Sequence, residues 1–449
     1  MPARRLELIR DRVHIELDGE RVEAERGEPV AIAIAASGRL LLGRSVKYHR
    51  PRGAVCYSGR CDGCLMRVDG QQSVMTCRAH VEDGMVVETQ NVVGSAEHDL
   101  LAATDWFYPQ GMNHHEMFTW NEQVNRVMQK IARRVAGVGT LPSQAAPLAR
   151  SPEHPIDVLV VGGGPAGLHA AAITAERGLS TALVDEDDRL GGSLAWWPRP
   201  FSHEGASTRG SELAARLADR ARDVGVVLHT RAPAVGIYEP WEGAPGAREP
   251  APPMRTEPLL VCADEPARLH RFRPRRVVIA TGRNEGSPAF EGSDKPGVVS
   301  VRGASIMLAH GVLVGQRVIL AGEGAAVEAL ASALKKAGAE VIGPVAETAV
   351  RRARGKPSVV GCELEGGARH DCDAIVVGPP TSAVFELAAQ AGVRVTFSGK
   401  GYELEADEDG RTAAPDVRVI GGAAGVDSLE EALAQAERAA RAIAEELAP

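Results

Sequence analysis

The segment that most restricts the fold of this chain runs from Ile156 to Glu186. It contains an apolar run (IDVLVV), a glycine turn (GGGPAG), a helical stretch (LHAAAITAERG) and a second apolar run (STALVDE). This order predicts the β-α-β unit that opens a nucleotide-binding α/β fold. Gly162, Gly164 and Gly167 form G-x-G-x-x-G between strand and helix. The glycines permit a tight turn and a pyrophosphate close to the helix N-terminus.

Other residues are expected to complete this first nucleotide site. Asp185 stands eighteen residues after Gly167, where a carboxylate can accept hydrogen bonds from ribose hydroxyls, and Glu186 is the near alternative. Close approach of the backbone to the ligand is also expected in the turn and at three later points: Pro165, Ala166, Gly191, Gly192, Thr281, Gly282 and Gly422. We expect a dinucleotide, FAD rather than NAD; a glycine-rich turn without a ligand is the alternative.

A second β-α-β pattern follows in QRVILAGEG, AAVEALASALKKAG and AEVIG. It carries only Gly322-x-Gly324, with Val327 where the third glycine would fall. No acid or arginine stands clearly at the end of its second strand. The unit could bind a nicotinamide or adenine nucleotide, or it could be a vestigial repeat, and the sequence leaves both open.

The stretch from Cys56 to Cys77 holds four of the seven cysteines. Cys56, Cys61 and Cys64 have the C-x4-C-x2-C spacing of plant-type [2Fe–2S] proteins, with Cys77 as the distant fourth ligand. Gly59 allows loop conformations that a side chain would hinder. Structural zinc and unrelated buried thiols are the alternatives, and the spacing disfavours the paired motifs of zinc sites. The remaining cysteines are expected to be ordinary buried thiols: Cys262, Cys362 and Cys372.

Charge and hydropathy exclude several classes of protein. A net charge of -8 and a pI near 6.0 provide no electrostatic footprint for nucleic acid. No apolar run approaches the roughly 18 residues that span a bilayer. The start, MPARRLELIRDRV, is too charged for a signal peptide, so the expected location is cytoplasmic. In that reducing compartment, clustered cysteines indicate metal or redox chemistry more often than disulfides.

At 449 residues the chain is expected to form several α/β domains. Residues 1–97 are expected to form a ferredoxin-like β-grasp domain, and 98–155 a helical connector and linker. The remainder is expected to form two Rossmann-like domains of the disulfide-reductase-like flavoprotein type: 156–295 with 409–449 for FAD or NAD, and 296–408 for a second nucleotide. Trp196–Trp197 could wall a cofactor pocket or pack in a core. The adjacent His114 and His115, with Glu116, are expected to lie apart rather than bind metal.

Taken together, these motifs resemble a known family. GRSVKYHRPRG (43–53), the MFTWNEQ region and IGGAAG (420–425) are similar to the alpha subunit of heterotetrameric sarcosine oxidase. Relatives of that subunit occur in hydrogen cyanide synthase, opine oxidase and hydroxyproline dehydrogenase. The resemblance implies a flavin/iron–sulfur subunit of an amino-acid or secondary-amine dehydrogenase or oxidase. A partner flavoprotein, with further small subunits in some complexes, would oxidise the substrate, and this chain would relay electrons through its cluster.

The sequence also departs from that family and from related flavoproteins. Sarcosine oxidase lacks the cluster cysteines and continues into a folate-binding half, so folate chemistry is not expected for a chain that ends at Pro449. Flavin reductases carry Gly-Asp where this chain has Gly422–Ala423, which keeps NAD open as the bound nucleotide. Neither a Cys-x4-Cys after Gly192 nor a C-x2-C in the second unit is present, which excludes a disulfide reductase.

The sequence identifies no general base, and this favours an electron relay. A self-sufficient NAD(P)H:acceptor oxidoreductase and a non-catalytic nucleotide-holding scaffold are the two alternatives. The surface around the cysteine loop and the connector of residues 98–136 are expected to face the partner. The aromatic residues of the connector could equally pack onto their own domains: Trp106, Phe107, Tyr108 and Trp120.

Overall fold

The computed structural model describes residues 3–46, 48–103, 119–135, 153–198, 200–203, 206–238, 260–265 and 268–448. Several residues considered above lie outside these ranges: Trp106, Phe107, Tyr108, His114, His115 and Glu116. Among the described helices, none is both long and apolar enough to cross a bilayer.

Eight α-helices are found in the described part of the chain, and five short 3-10 turns accompany them. The helices are α1 Val30–Ala36, α2 Glu122–Val135, α3 Pro165–Glu176, α4 Gly210–Asp223, α5 Val301–Ala309, α6 Ala325–Lys336, α7 Glu386–Gln390 and α8 Leu429–Leu447. The 3-10 turns are Leu100–Ala102, Gly192–Ala195, Glu347–Ala349, Glu365–Gly367 and Gly421–Ala424.

The described β-strands are short, apart from two that run through the centre of one sheet. They are β1 Arg4–Arg5, β2 Arg12–Leu17, β3 Glu20–Glu25, β4 Gly43–Arg44, β5 Pro51–Arg52, β6 Leu65–Val68, β7 Gln71–Met75, β8 Val86–Glu88, β9 Glu153–Val161, β10 Thr181–Val184, β11 Phe201–His203, β12 Ala206–Thr208, β13 Val227–His229, β14 Ala234–Tyr238, β15 Leu260–Glu265, β16 Arg268–Ile279, β17 Arg283–Glu285, β18 Val298–Ser300, β19 Val312–Leu313, β20 Arg317–Gly322, β21 Glu340–Val345, β22 Val350–Arg354, β23 Gly361–Leu364, β24 Arg369–Asp371, β25 Ala374–Gly378, β26 Thr381–Ala383, β27 Val395–Phe397, β28 Tyr402–Leu404 and β29 Val417–Val419.

The chain divides into two compact units, the first made of residues 1–145 with 287–379. This unit contains a five-stranded mixed sheet in the order β3-β2-β8-β6-β7. In β2, Val13, Ile15 and Leu17 are buried and alternate with more exposed residues, as expected for a strand with one face on a core. The β2–β3 hairpin turns at Asp18–Gly19, both with positive φ, as the Asp-Gly pair predicts.

The first unit also contains a parallel sheet in the order β18-β25-β20-β21. Strand β20, helix α6 and strand β21 form the second β-α-β unit predicted from the sequence. A three-stranded antiparallel sheet, β22-β23-β24, follows it in the same unit. Helix α1 and the parallel sheet contribute to one hydrophobic core, in which Ile32, Leu320 and Leu330 are fully buried.

The second unit comprises residues 146–286 with 380–449. Its parallel strands lie in the order β13-β10-β9-β16-β29, and β15 and β14 add to β16 in antiparallel pairs. Helix α3 packs on α8 through alanines such as Ala170, Ala436 and Ala440, whose small side chains allow the helices to approach closely. Ser428 caps α8 by accepting a hydrogen bond from the amide of Glu431, the S-x-x-E pattern of a helix start.

Residues 380–408 lie in the second unit. The amide of Ile237 in β14 donates to Oε1 of Gln390 in α7, at 3.0 Å. Leu387 and Ala388 are buried in the same core as Ile237 and Val261. The domain boundaries given from the sequence stay a prediction, because the contacts describe two units and not the three domains of that scheme.

Candidate cofactor sites

The four clustered cysteines meet at one place in the first unit. Cys56, Cys61 and Cys64 lie on the loop between β5 and β6, and Cys77 closely follows β7. The thiols form two close pairs: Sγ of Cys56 is 3.4 Å from that of Cys61, and Sγ of Cys64 is 3.4 Å from that of Cys77. All seven cysteines of the chain are free, so neither pair is a disulfide.

Backbone amides of the loop point at these sulfur atoms. The amides of Ser58 and Arg60 lie 3.4 and 3.2 Å from Sγ of Cys56. The amide of Gly59 lies 3.2 Å from Sγ of Cys77. Gly59 has a φ of +77°, a left-handed conformation that a side chain would hinder, as predicted from the sequence. The loop is therefore shaped to surround a negatively charged group with N–H donors.

The hydrogen bond within each pair divides the thiols into a donor and an acceptor. The bond from Cys61 lowers the pKa of Cys56 to about 5, and the bond from Cys77 lowers the pKa of Cys64. The same bonds raise the pKa of Cys61 and of Cys77. One thiol of each pair, Cys56 and Cys64, is therefore stabilised as a thiolate, the form in which cysteine binds a metal.

The residues present fit a [2Fe–2S] cluster better than one zinc ion. In the described part of the chain, no group of three or more His, Cys, Asp or Glu side chains is placed to hold a single ion. Two pairs of thiols, in contrast, match one pair for each of two irons. The loop is also closely packed, since a Cβ on Gly63 would lie 2.0 Å from the carbonyl oxygen of Gly53.

In the second unit, the three motif glycines have different surroundings. A Cβ on Gly162 would lie 2.4 Å from the carbonyl oxygen of Ala280, and one on Gly167 would lie 2.0 Å from that of Gly162. A Cβ on Gly164 would meet no protein atom within 4 Å. Gly164 is the N-cap of α3, with Pro165 in the first turn. Two glycines thus allow close packing of the turn, while Gly164 leaves open space at the helix N-terminus.

The Gly191–Gly192 turn packs directly on this loop. The amide of Gly191 donates to the carbonyl oxygen of Gly163 at 2.7 Å, and a Cβ on Gly192 would lie 3.0 Å from Cα of Gly164. Both glycines have positive φ, 123° and 52°. The rings of Trp196 and Trp197 follow, 6.3 Å apart and half-buried, and both interpretations given for them above stay open.

Asp185 is the acidic side chain that faces the glycine loop. Its Oδ2 accepts a hydrogen bond from the amide of Gly163, and its Oδ1 accepts one from the amide of Asp187 at 2.8 Å. Burial, followed by the charges of Asp187 and Glu186, raises the pKa of Asp185 to about 6. Of the two predicted acids, Asp185 therefore has the position to meet a ribose.

Two more predicted segments converge on the same loop. A Cβ on Gly421 would lie 2.8 Å from Cβ of Ala166, and one on Gly422 would lie 3.4 Å from Cα of Gly282. Oγ1 of Thr281 donates to the carbonyl oxygen of Val384 at 3.0 Å, which ties the turn to the rest of the unit. The structure thus brings together the segments proposed for the first nucleotide site around one open turn. Ala423, which stands where flavin reductases carry an aspartate, is fully buried.

Beside this turn lies an ion pair that no sequence pattern indicated. Arg283 donates two hydrogen bonds of 2.7 Å to the carboxylate of Glu403, and further bonds to Oγ1 and the carbonyl oxygen of Thr381. This pairing raises the pKa of Arg283 and lowers that of Glu403. Arg283 and Glu403 are 120 residues apart, so no local pattern could have revealed the pair.

The second β-α-β motif, formed by β20, α6 and β21 in the first unit, keeps its close helix–strand packing by other means. Gly322 has a φ of +127°, and a Cβ on it would lie 2.8 Å from the carbonyl oxygen of Gly378. Val327 replaces the third glycine, and a Cβ on Gly378 would lie 2.9 Å from its Cγ2. The missing glycine on the helix is therefore matched by a glycine on strand β25. A Cβ on Gly324 would meet nothing within 4 Å, so the helix N-terminus is open.

The three remaining cysteines are buried, as predicted. Cys262, Cys362 and Cys372 are 8, 0 and 3% exposed. Burial raises the pKa of Cys362 to about 11 and that of Cys372 to about 12, so these thiols stay protonated and unreactive near neutral pH.

Two parts of the chain match known protein families. Residues 10–92 match the 2Fe-2S iron-sulfur cluster binding domain, and residues 157–240 match the FAD dependent oxidoreductase family. Together with the fold, these matches define an iron–sulfur flavoprotein of the Rossmann type. They confirm the predicted fold class and the predicted cofactors, a [2Fe–2S] cluster and FAD.

More particular similarities follow the predicted family. The chain is 28% identical over 462 residues to the alpha subunit of sarcosine oxidase from Rhizobium meliloti, covering 96% of this chain and 45% of that protein. It is 31% identical over 172 residues to an opine oxidase subunit of the same organism, covering 37% of this chain and 33% of that protein. The predicted resemblance to subunits of sarcosine oxidase, hydrogen cyanide synthase and opine oxidase is confirmed.

A solved structure shows the same fold over nearly the whole chain. The L-proline dehydrogenase from P. horikoshii superposes with a TM-score of 0.74 at 21% identity, covering 99% of this chain and 76% of the other. The present chain spans less than half the length of the sarcosine oxidase alpha subunit from Rhizobium meliloti.

Proposed function

We propose that this chain is the electron-transfer flavin/iron–sulfur subunit of a dehydrogenase or oxidase complex that acts on amino acids or secondary amines. The observation that carries the proposal is the pair-wise arrangement of Cys56, Cys61, Cys64 and Cys77, with backbone amides directed at their sulfur atoms. A one-electron centre in the same chain as a flavin site is suited to convert two-electron chemistry into single-electron transfer.

The class of substrate is inferred from the relatives. Sarcosine, opines and proline, which appear in the names of three similar proteins, all carry a secondary amine beside a carboxylate. We therefore propose a CH–NH donor of this type, oxidised to an imine.

The cysteine loop and the nucleotide turn have separate proposed roles in holding the two cofactors. Cys56 and Cys61 would hold one iron and Cys64 and Cys77 the other, while the loop amides stabilise the negative charge on sulfur. When bound, the cluster supplies one-electron transfer and FAD supplies two-electron transfer. At the nucleotide turn, the open face of Gly164 would admit the pyrophosphate and the N-terminus of α3 would stabilise its charge.

Hydrogen bonding around the nucleotide turn favours oxidation of the substrate by a partner. Asp185 already accepts two backbone hydrogen bonds, and Glu403 is neutralised by Arg283. Both carboxylates are therefore already engaged in holding the turn. A general base must be able to take a proton from the substrate. We therefore assign that step to a partner flavoprotein.

Helix α2 offers a surface for such a partner. Trp120, just before the helix, is 77% exposed, and Val127 on it is 56% exposed. Exposed apolar groups of this size are enriched at protein interfaces. We propose that the connector faces the partner flavoprotein, and its remaining aromatic residues lie outside the described ranges. The cytoplasmic location stays a prediction.

The proposal is tested by expressing the chain alone and together with the product of a neighbouring gene. Dye reduction is then measured with sarcosine, proline and an opine as substrates. We expect turnover only when the partner is present, and cluster reduction in the complex on addition of substrate. Steady turnover by the chain alone would refute the assignment as a relay.

A second candidate function is a self-sufficient NAD(P)H:acceptor oxidoreductase. It is favoured by the second β-α-β motif, formed by β20, α6 and β21. The replacement of the third glycine is compensated by Gly378, and the helix N-terminus at Gly324 is open. Rapid bleaching of the flavin in the isolated chain by NADH or NADPH would support this candidate. The scaffold alternative requires that neither NADH nor the partner reduces the flavin.

A further inference from the structure

A cavity of about 250 Å³ in the first unit is lined mainly by positive side chains. It lies between the turn that precedes β18 and the antiparallel sheet β22-β23-β24. Its lining contains one carboxylate, Glu363, and five cations, which together define the basic pocket: Lys295, Arg352, Arg354, Lys356 and Arg369.

Ion pairing leaves part of this charge uncompensated. The side-chain amines of Lys295 and Lys356 have no hydrogen-bond or ion-pair partner among the residues that the structure describes. The arginines each lie within 4 Å of one carboxylate: Arg352 and Glu291 at 3.2 Å, Arg354 and Asp371 at 3.9 Å, Arg369 and Glu363 at 3.3 Å. Five cations against three carboxylates leave a local excess of two positive charges, although the whole chain has a net charge of -8.

The pocket adjoins the cysteine loop through direct backbone contacts. Lys295 is followed by Pro296, whose Cα lies 2.9 Å from the position of a Cβ on Gly53. The carbonyl oxygen of Gly53 in turn lies 2.0 Å from the position of a Cβ on Gly63, between Cys61 and Cys64. Two successive backbone contacts therefore connect the basic pocket to the loop of the proposed cluster.

The exposure of the pocket favours a protein surface over an enclosed small ligand. The side chains of Arg352, Arg354 and Arg369 are 54, 35 and 66% exposed. A small anion gains little from cations that water already solvates, whereas an acidic protein surface makes many such contacts at once. Complementary charges at an open surface raise the rate of encounter more than the affinity.

We propose that the basic pocket is the docking surface for an acidic one-electron carrier protein that exchanges electrons with the cluster. The inference rests on the proposed function, because it requires a cluster on the adjacent loop. The carrier would present carboxylates to Lys295, Lys356 and the three arginines. Electron transfer then needs no covalent step: one electron passes between the two centres, and each changes its charge by one.

The test measures reoxidation of the reduced cluster in the full chain by two small oxidants of opposite charge. Ferricyanide is negative and hexaammineruthenium(III) is positive, and the reaction is followed by the EPR signal of the cluster after rapid freezing. The double variant Lys295→Glu/Lys356→Glu should lower the ferricyanide rate about tenfold at an ionic strength of about 10 mM and raise the rate with the ruthenium complex. Both differences should disappear near 1 M salt, where charges are screened within about 3 Å.

The control variant is Lys335→Glu/Lys336→Glu, which makes the same change in charge on two exposed residues of α6 outside the pocket. Equal effects of the two double variants would overturn the inference, since net charge alone would then explain them. Polyglutamate, used as a multivalent acidic probe, should slow ferricyanide oxidation of the unaltered chain but not of the pocket variant.

Inorganic phosphate tests whether the basic pocket binds a small anion instead of a protein surface. If phosphate competes as strongly as polyglutamate at equal charge concentration, the pocket is a small-anion site and the docking inference is wrong. Absence of the EPR signal before mixing would instead contradict the proposed function itself. The two proposals therefore fail by different observations.

Discussion

A substitution at Gly164 should weaken binding of the nucleotide while leaving the stability of the fold almost unchanged. The φ of this glycine, -71°, is accessible to any residue, and a Cβ on it would meet no protein atom within 4 Å. Gly164→Ala should therefore change the stability of the flavin-free chain very little. Two effects of opposite sign, each about 0.5–1 kcal/mol, nearly cancel: alanine restricts the unfolded chain, and it is a poorer helix N-cap than glycine.

Binding of FAD should respond quite differently. The open space beside Gly164 is where the proposed pyrophosphate must approach the helix N-terminus, so a methyl group there displaces the ligand. We expect a loss of at least about tenfold in affinity, which corresponds to ~1.4 kcal/mol, and complete loss for Gly164→Val. Affinity is measured by titrating flavin-free protein with FAD, and stability by urea unfolding of the same preparation.

The matched control is Gly167→Ala, in the same turn. Its Cβ would lie 2.0 Å from the carbonyl oxygen of Gly162, so the backbone must move, at a cost of about 1–3 kcal/mol in the flavin-free protein. If Gly164→Ala retains FAD as well as the unaltered chain, the pyrophosphate does not lie at this turn. If it destabilises the flavin-free chain as much as Gly167→Ala, the described geometry of the turn is wrong.

Three further predictions concern the cluster, the second nucleotide unit and the pH dependence of stability. Cys61→Ser should abolish the content of about two irons and two acid-labile sulfides per chain, whereas Cys262→Ser should retain it; one zinc and no labile sulfide in the unaltered chain would contradict the cluster. Gly378→Ala should lower the free energy of unfolding by about 1–3 kcal/mol, because its Cβ would lie 2.9 Å from Cγ2 of Val327. Adding Val327→Ala should restore part of that loss, and strict additivity of the two changes would show that the contact is absent. The pKa of Asp185 is raised from 3.8 to about 6, so its contribution to stability is present below pH 3.8 and is lost as the pH rises through about 6. The free energy of unfolding of the flavin-free chain should therefore fall over this range by at most about 3 kcal/mol, since water screens part of the effect at this half-buried side chain, and Asp185→Asn should remove the fall.

The sequence by itself predicted the features that depend on local spacing. The cysteine loop, the glycine turns and the alternation of strands and helices all follow from residues that are close along the chain. For example, the turn at Asp18–Gly19 and the glycine at position 59 both have the positive φ that their patterns predict. Local conformational preference is enough to determine such features, because only neighbouring residues take part in them.

Other features were decided only by the tertiary structure. The sequence did not show that Cys56 pairs with Cys61 and Cys64 with Cys77, since that depends on how the loop closes on the end of β7. It also presented Val327 as a departure from the motif, and did not show that Gly378 on another strand makes room for it. Both depend on residues brought together from different elements.

The same reason applies to charge. The net charge of -8 predicts an acidic surface, yet the fold gathers Lys295, Lys356 and Arg369 into the basic pocket beside the cysteine loop. The Arg283–Glu403 ion pair likewise joins residues 120 positions apart. Chain composition limits the total charge, but the distance between two charges, and therefore their interaction energy, is determined only when the chain has folded.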